Sequence, residues 1–144
     1  MEKPYMGGLR KFREWMADFD ERSILDARTT PTMEDYNLCR NSSDRQALRT
    51  KVAGALYDMN VQVGRLEGFE VYFLRAVARL KGSLVFKAKD EGMNYVDMRV
   101  SYIETHPDFI SMQLNLSSVQ ARSRMLNRML KSQEVLQELL RDHA

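Results

Sequence analysis

Residues 43–80 read SDRQALRTKVAGALYDMNVQVGRLEGFEVYFLRAVARL. Val52, Met59, Leu66, Phe73 and Leu80 recur at every seventh position, and Ala55, Phe69 and Ala76 hold the companion position three residues further on, interrupted at Gln62. Apolar heptads sustained over this length predict a helix packed along a seam. Ser43 followed by Gln46 matches a capping box, in which the Ser hydroxyl takes an orphan amide of the first turn, so the helix is expected to start there. Gly54, Gly64 and Gly68 lie off the seam. Each costs about 1 kcal/mol relative to Ala inside a helix, which predicts a bend or a close backbone approach near them.

Beyond the seam, KGSLVFKAKDEG (81–92) weakens the pattern. Gly82 and Gly92 are breakers, and SLVFKAK (83–89) reads equally as frayed helix, short strand or loop. Met93, Val96, Val100 and Ile103 restore helical spacing up to THPD (105–108), where the residue before proline is biased away from helical dihedrals. Pro107 suits the first turn of a following helix. In that helix Phe109, Leu116 and Leu130 share one heptad position and Met112, Val119, Leu126 and Leu140 the other, with Ser123 and Gln133 as polar interruptions. Two such seams can close on each other as an antiparallel hairpin or face neighbouring subunits.

Before the first seam, Leu9, Phe12, Trp15, Met16 and Phe19 have the spacing of a short amphipathic helix with Arg10, Lys11, Arg13 and Glu14 outside. Residues 20–32, with Pro31 and a run of threonines, read as a connector, and a second short helix is expected around 33–40. The fold class is therefore all-α: long heptad-patterned helices forming a hairpin or bundle, with short N-terminal helices. One helical domain is expected over residues 1–144, divided into N-terminal helices (about 1–42), a long helix (43–89) and the segment 93–144. Ten methionines suit irregular packing between such helices.

The composition narrows the function. A chain of 144 residues with 44% hydrophobic residues can build its own core. Cys39 is the one cysteine, which rules out an intramolecular disulfide and fits a reducing, cytoplasmic compartment. The N-terminus lacks the apolar core of a signal peptide, and no stretch has the roughly 18 consecutive apolar residues of a membrane span. His106 and His143 have no metal-ligand spacing with Cys39 or with each other, and His106 suits a cap or turn. The carboxylate pairs Glu67 with Glu70 and Asp90 with Glu91 come with no phosphate loop or nucleophile elbow. The expectation is a binding or scaffolding protein without cofactor or metal, not an enzyme.

Charge is nearly balanced at +2, yet it is segregated. Arg75, Arg79, Lys81, Lys87 and Lys89 lie between Glu70 and Asp90 with no acid among them. Arg75 and Arg79 are one turn apart on a face away from Phe73 and Leu80, with Lys81 flanking. A second strip, Arg124, Arg128 and Lys131, recurs on the last helix, where no acid occurs from Phe109 to Gln133. A solvated face normally mixes charges in i, i+4 pairs, and the plain alternative here is that these are ordinary solvated faces. Tyr72 and Phe86 interleave with the first strip as stacking candidates, while Phe73 falls on the seam and reads as core. Cations beside aromatic faces suit single-stranded nucleic acid, where phosphates are neutralised and unpaired bases stack. The strips lack a helix-turn-helix signature for reading duplex DNA.

The order of these features resembles the UvsY-type recombination mediators of tailed phages. In that family a short stretch reading Leu-Lys-Ala-Arg-Leu ends a long helix and is associated with DNA binding. Here the similar stretch is AVARL (76–80): the family's arginine falls on Arg79 and its alanine on Ala78, whereas Val77 replaces the family lysine. DMRVSYIETHPDFISMQLNLSSVQARSRMLNRMLKSQ (97–133) is similar to the family's C-terminal region, and ILDARTTPTMEDYNLC (24–39) echoes a hydrophobic-Asp segment. The resemblance implies a homo-oligomeric ring that binds single-stranded DNA and helps load a RecA-like recombinase onto strands coated by single-strand binding protein, in the host cytoplasm if phage-encoded. Assembly would then fall to the terminal helix, through Phe109, Met112, Leu116, Val119, Leu126, Leu130 and Leu140. The competing expectation is a phage or bacterial interaction or assembly protein whose basic helical faces bind an acidic partner.

Overall fold

The computed structural model describes residues 6–26 and 30–142. They form α1 (Met6–Asp26), α2 (Met33–Asn37), α3 (Ser42–Asp90), α4 (Val96–Thr105) and α5 (Pro107–Asp142), with no strand among the described residues. The fold is all-α. Two compact units are built from these helices: Met1–Arg65 with Ser123–Ala144, and Leu66–Arg122. Both α3 and α5 contribute a stretch to each.

In the first unit the seam residues Val52 and Met59 are buried, the companion Ala55 is half-buried, and Leu48 and Leu56, off the predicted seam, join the core. Leu48, Val52 and Leu56 of α3 form a buried cluster with Leu136 and Leu140 of α5, joined by the half-buried Tyr36, Cys39 and Leu130. The start of α3 thus meets the end of α5, as in an antiparallel hairpin, and the Arg49 guanidinium donates to the Leu140 carbonyl. Leu9, Phe12, Trp15 and Phe19 bury one face of α1, with their rings in stacked succession. The amphipathic helix there is longer than the short element expected: it runs to Asp26, into what the sequence suggested was connector.

Both glutamines that interrupt the seams are engaged. Gln62 Oε1 accepts from Trp15 Nε1 at 3.1 Å, tying α3 to α1. Gln133, buried to 2% exposure, donates from Nε2 to the Pro31 carbonyl at 2.7 Å and holds the segment before α2 against α5. Its Oε1 has no partner among the described residues. A buried amide of this kind fixes register at some cost in stability.

The helix starts correct one expectation. Asn41, not Ser43, caps α3: the Asp44 amide donates to Asn41 Oδ1 at 2.8 Å, and Asp44 Oδ2 accepts from the Arg40 amide at 3.0 Å. Ser43 is already inside the helix, where its hydroxyl cannot reach a free amide ahead of it. The reciprocal capping box lies at α2, between Thr32 and Asp35.

The second unit corrects another. Gly82 does not break α3, and SLVFKAK is helix. After Leu80 the apolar spacing tightens to every fourth residue, through the buried Leu84 and Ala88, and this burial outweighs the roughly 1 kcal/mol that a mid-helix glycine costs. Gly92 does end it: its φ of 84° is the left-handed conformation that glycine adopts without strain. Its amide donates to Lys89 O and that of Met93 to Ala88 O, the paired bonds of a Schellman motif. His106 joins α4 to α5, with its Nδ1 accepting the Asp108 amide at 3.2 Å just after Pro107 opens α5. A Cβ on Gly54, Gly64 or Gly68 would meet nothing within 4 Å, so among the described residues no segment packs closely there.

Candidate nucleic-acid interface

Continuity of α3 through Asp90 decides where each basic side chain points. At 100° per residue, Arg75, Arg79, Gly82, Phe86 and Lys89 fall on one stripe, opposite the buried Phe73, Leu84 and Ala88. All five stripe residues are exposed. No ion pair or hydrogen bond among the described residues engages the side chains of Arg75, Arg79 or Lys89. Phe86 keeps 72% of its surface exposed, second among the described large hydrophobics to Tyr95 at 74%. Gly82 leaves bare backbone between Arg79 and Phe86, and a Cβ there would meet only open space.

The other predicted residues of this tract sit elsewhere. Lys81 and Lys87 are exposed but lie about 120° to either side of the stripe. Lys87 and Lys89 also occupy the last turn of α3, where a cation is favoured by the helix dipole whatever it binds. Tyr72 is half-buried, with its ring edge-on to that of Phe73 at 5.2 Å, so it offers less of its face than Phe86 does. Phe73 is fully buried, as its seam position implies.

On α5, Arg124, Arg128 and Lys131 are exposed and share one face of the first unit's stretch of that helix. No large aromatic side chain accompanies them. The residues expected to carry assembly are mostly occupied within the chain: Met112, Leu116, Val119, Leu126 and Leu140 are buried, and Phe109 and Leu130 are half-buried.

Cys39 and His106 both make local hydrogen bonds to the backbone. Cys39 is half-buried beside the Leu48 cluster and its thiol donates to Asp35 O at 3.4 Å. His106 is committed to its cap. His143 lies outside the described residues. Among the described residues no three His, Cys, Asp or Glu side chains converge as a metal site, and no helix is long and apolar enough to cross a membrane. Comparison with protein-family models, curated proteins and solved structures finds no match.

Proposed function

We propose that this protein binds single-stranded DNA along the Arg75–Lys89 stripe and acts as a recombination mediator, helping a RecA-like recombinase replace the single-strand binding protein on coated strands. The observation that carries this reading is Phe86, an uncovered aromatic ring held on the same helical stripe as Arg79 and Lys89. Among the described residues nothing covers the Phe86 ring, and a stacked base would cover it while the arginines take flanking phosphates. Binding of this kind uses no cofactor and makes or breaks no covalent bond. Several copies acting on one strand would multiply a weak contact through effective concentration.

The mediator step is tested by recombinase ATPase activity on single-stranded DNA pre-coated with single-strand binding protein. Wild-type protein is expected to shorten the lag before activity, and the Arg75→Ala/Arg79→Ala protein to leave it unchanged. An acidic protein partner could use the arginines and cover Phe86 as well, so the two readings separate on whether the protein binds a single-stranded oligonucleotide.

A further inference from the structure

The first unit carries an open groove of about 1120 Å³ along the exposed flank of α3, and the charged residues that α3 contributes to its lining follow a rule. Asp44, Lys51, Asp58 and Arg65 stand seven residues apart with alternating sign, and all four are exposed. Seven residues is two helical turns, so they form one row about 31 Å long. Asp44 has Arg40 four positions before it and accepts from the Arg40 amide, whereas Lys51, Asp58 and Arg65 have no residue of opposite charge three or four positions away. Lys51, Asp58 and Arg65 make no ion pair among the described residues.

The row is symmetric about the peptide bond between Gly54 and Ala55. A second α3 laid antiparallel, with a two-fold axis at that point, sets Asp44 against Arg65 of the second copy and Lys51 against its Asp58, each pair formed twice. Sliding the second helix by one heptad, or pairing the two helices parallel in register, puts like charges opposite one another. A parallel pairing offset by one heptad matches signs but leaves an end unpaired and does not close. Only the antiparallel, in-register arrangement satisfies every charge.

The residues at the axis fit the same occupant. Gly54 has no side chain and Ala55 only a methyl, and a Cβ at Gly54 meets nothing within 4 Å. Among the described residues nothing packs against this glycine, as at Gly64 and Gly68, and close approach of a second helix at the axis would offset its cost of about 1 kcal/mol. Leu38 and Tyr57, at 65% and 71% exposure, line the same groove and supply apolar surface that such a neighbour would cover.

We infer that a second copy of this chain docks antiparallel in this groove, α3 against α3, with the Lys51–Asp58 pairs setting its register. Exposed charge pairs contribute little individually, so apolar contact at Leu38 and Tyr57 holds the dimer and the charges choose its geometry. This surface is separate from the stripe proposed to bind DNA and stands or falls without it.

Sedimentation of the full chain tests it. The expected mass is twice 16.8 kDa or an even multiple. Lys51→Glu and Asp58→Lys each turn two attractions into two repulsions, and each should weaken association about tenfold or more. Mixing the two single variants restores opposite charges across the axis and should restore the dimer, which also shows that both variants fold. A wild-type chain that sediments as a monomer at 100 µM overturns the proposal. So do single variants whose mass is unchanged, or a mixture that stays monomeric.

Discussion

The indole of Trp15 donates its Nε1 proton to Gln62 Oε1 at 3.1 Å, joining residues 47 positions apart at the one point where the α3 seam lacks an apolar side chain. What reads in the sequence as a defect in a heptad is the acceptor that a buried tryptophan requires. Gln62→Leu repairs the heptad pattern but removes the Gln62 Oε1 acceptor of the Trp15 N–H. It should destabilise the protein by about 1–2 kcal/mol in urea unfolding, followed by the emission of this single tryptophan.

Gln133 makes the sharper test of a buried amide. Gln133→Glu places a carboxylate, which can only accept, against the Pro31 carbonyl, and should cost about 3 kcal/mol or more at pH 7. The carboxyl pKa in the folded variant is then raised above its unfolded value. Stability lost at neutral pH should therefore return as the pH falls through the folded pKa, because the protonated acid can again donate to Pro31. Urea midpoints of the variant relative to wild type at pH 7 and pH 5 would show this recovery.

Gly82 is an exposed glycine inside a helix, with open space where a Cβ would stand. Gly82→Ala is expected to raise stability by about 1 kcal/mol in thermal or urea unfolding. The same change at Gly92, whose φ is 84°, should lower it.

His106 caps α5 by accepting the Asp108 amide through Nδ1. His106→Ala should lose about 1 kcal/mol of stability, and His106→Asn should retain most of it, since a short side-chain oxygen serves the same amide. Circular dichroism during urea unfolding distinguishes the two.

Much of the fold was legible because helix seams are local patterns. Val52, Met59, Leu66 and Phe73 are buried as their spacing requires, and Pro107 opens a helix as its fixed φ allows. The partners of Gln62 and Gln133 were not legible, because Trp15 and Pro31 lie 47 and 102 residues away and no periodicity links them. The start of α3 was misplaced by competition between adjacent cap formers: Asn41 lies two residues before Ser43 and takes the amide first.

The candidate site shows the same limit. Its basic residues and Phe86 were visible in the sequence, but their relative directions depend on whether residues 82–89 are helical. Once the chain is helical through Gly82, Phe86 joins Arg75 and Arg79, while Lys81 and Lys87 leave them.

The most direct measurement is fluorescence anisotropy of a labelled single-stranded oligonucleotide, against duplex of the same length, over a salt series. Wild type should prefer the single strand. Arg75→Ala/Arg79→Ala should weaken binding and reduce the salt slope by about 1.4, the share of two phosphates. Phe86→Ala should weaken it by about tenfold with the slope unchanged, as loss of one stacked base predicts. Lys81→Ala, off the stripe, should change affinity less than Arg79→Ala. No binding at low salt, or an affinity that Phe86→Ala and the double arginine change both leave intact, would contradict the account.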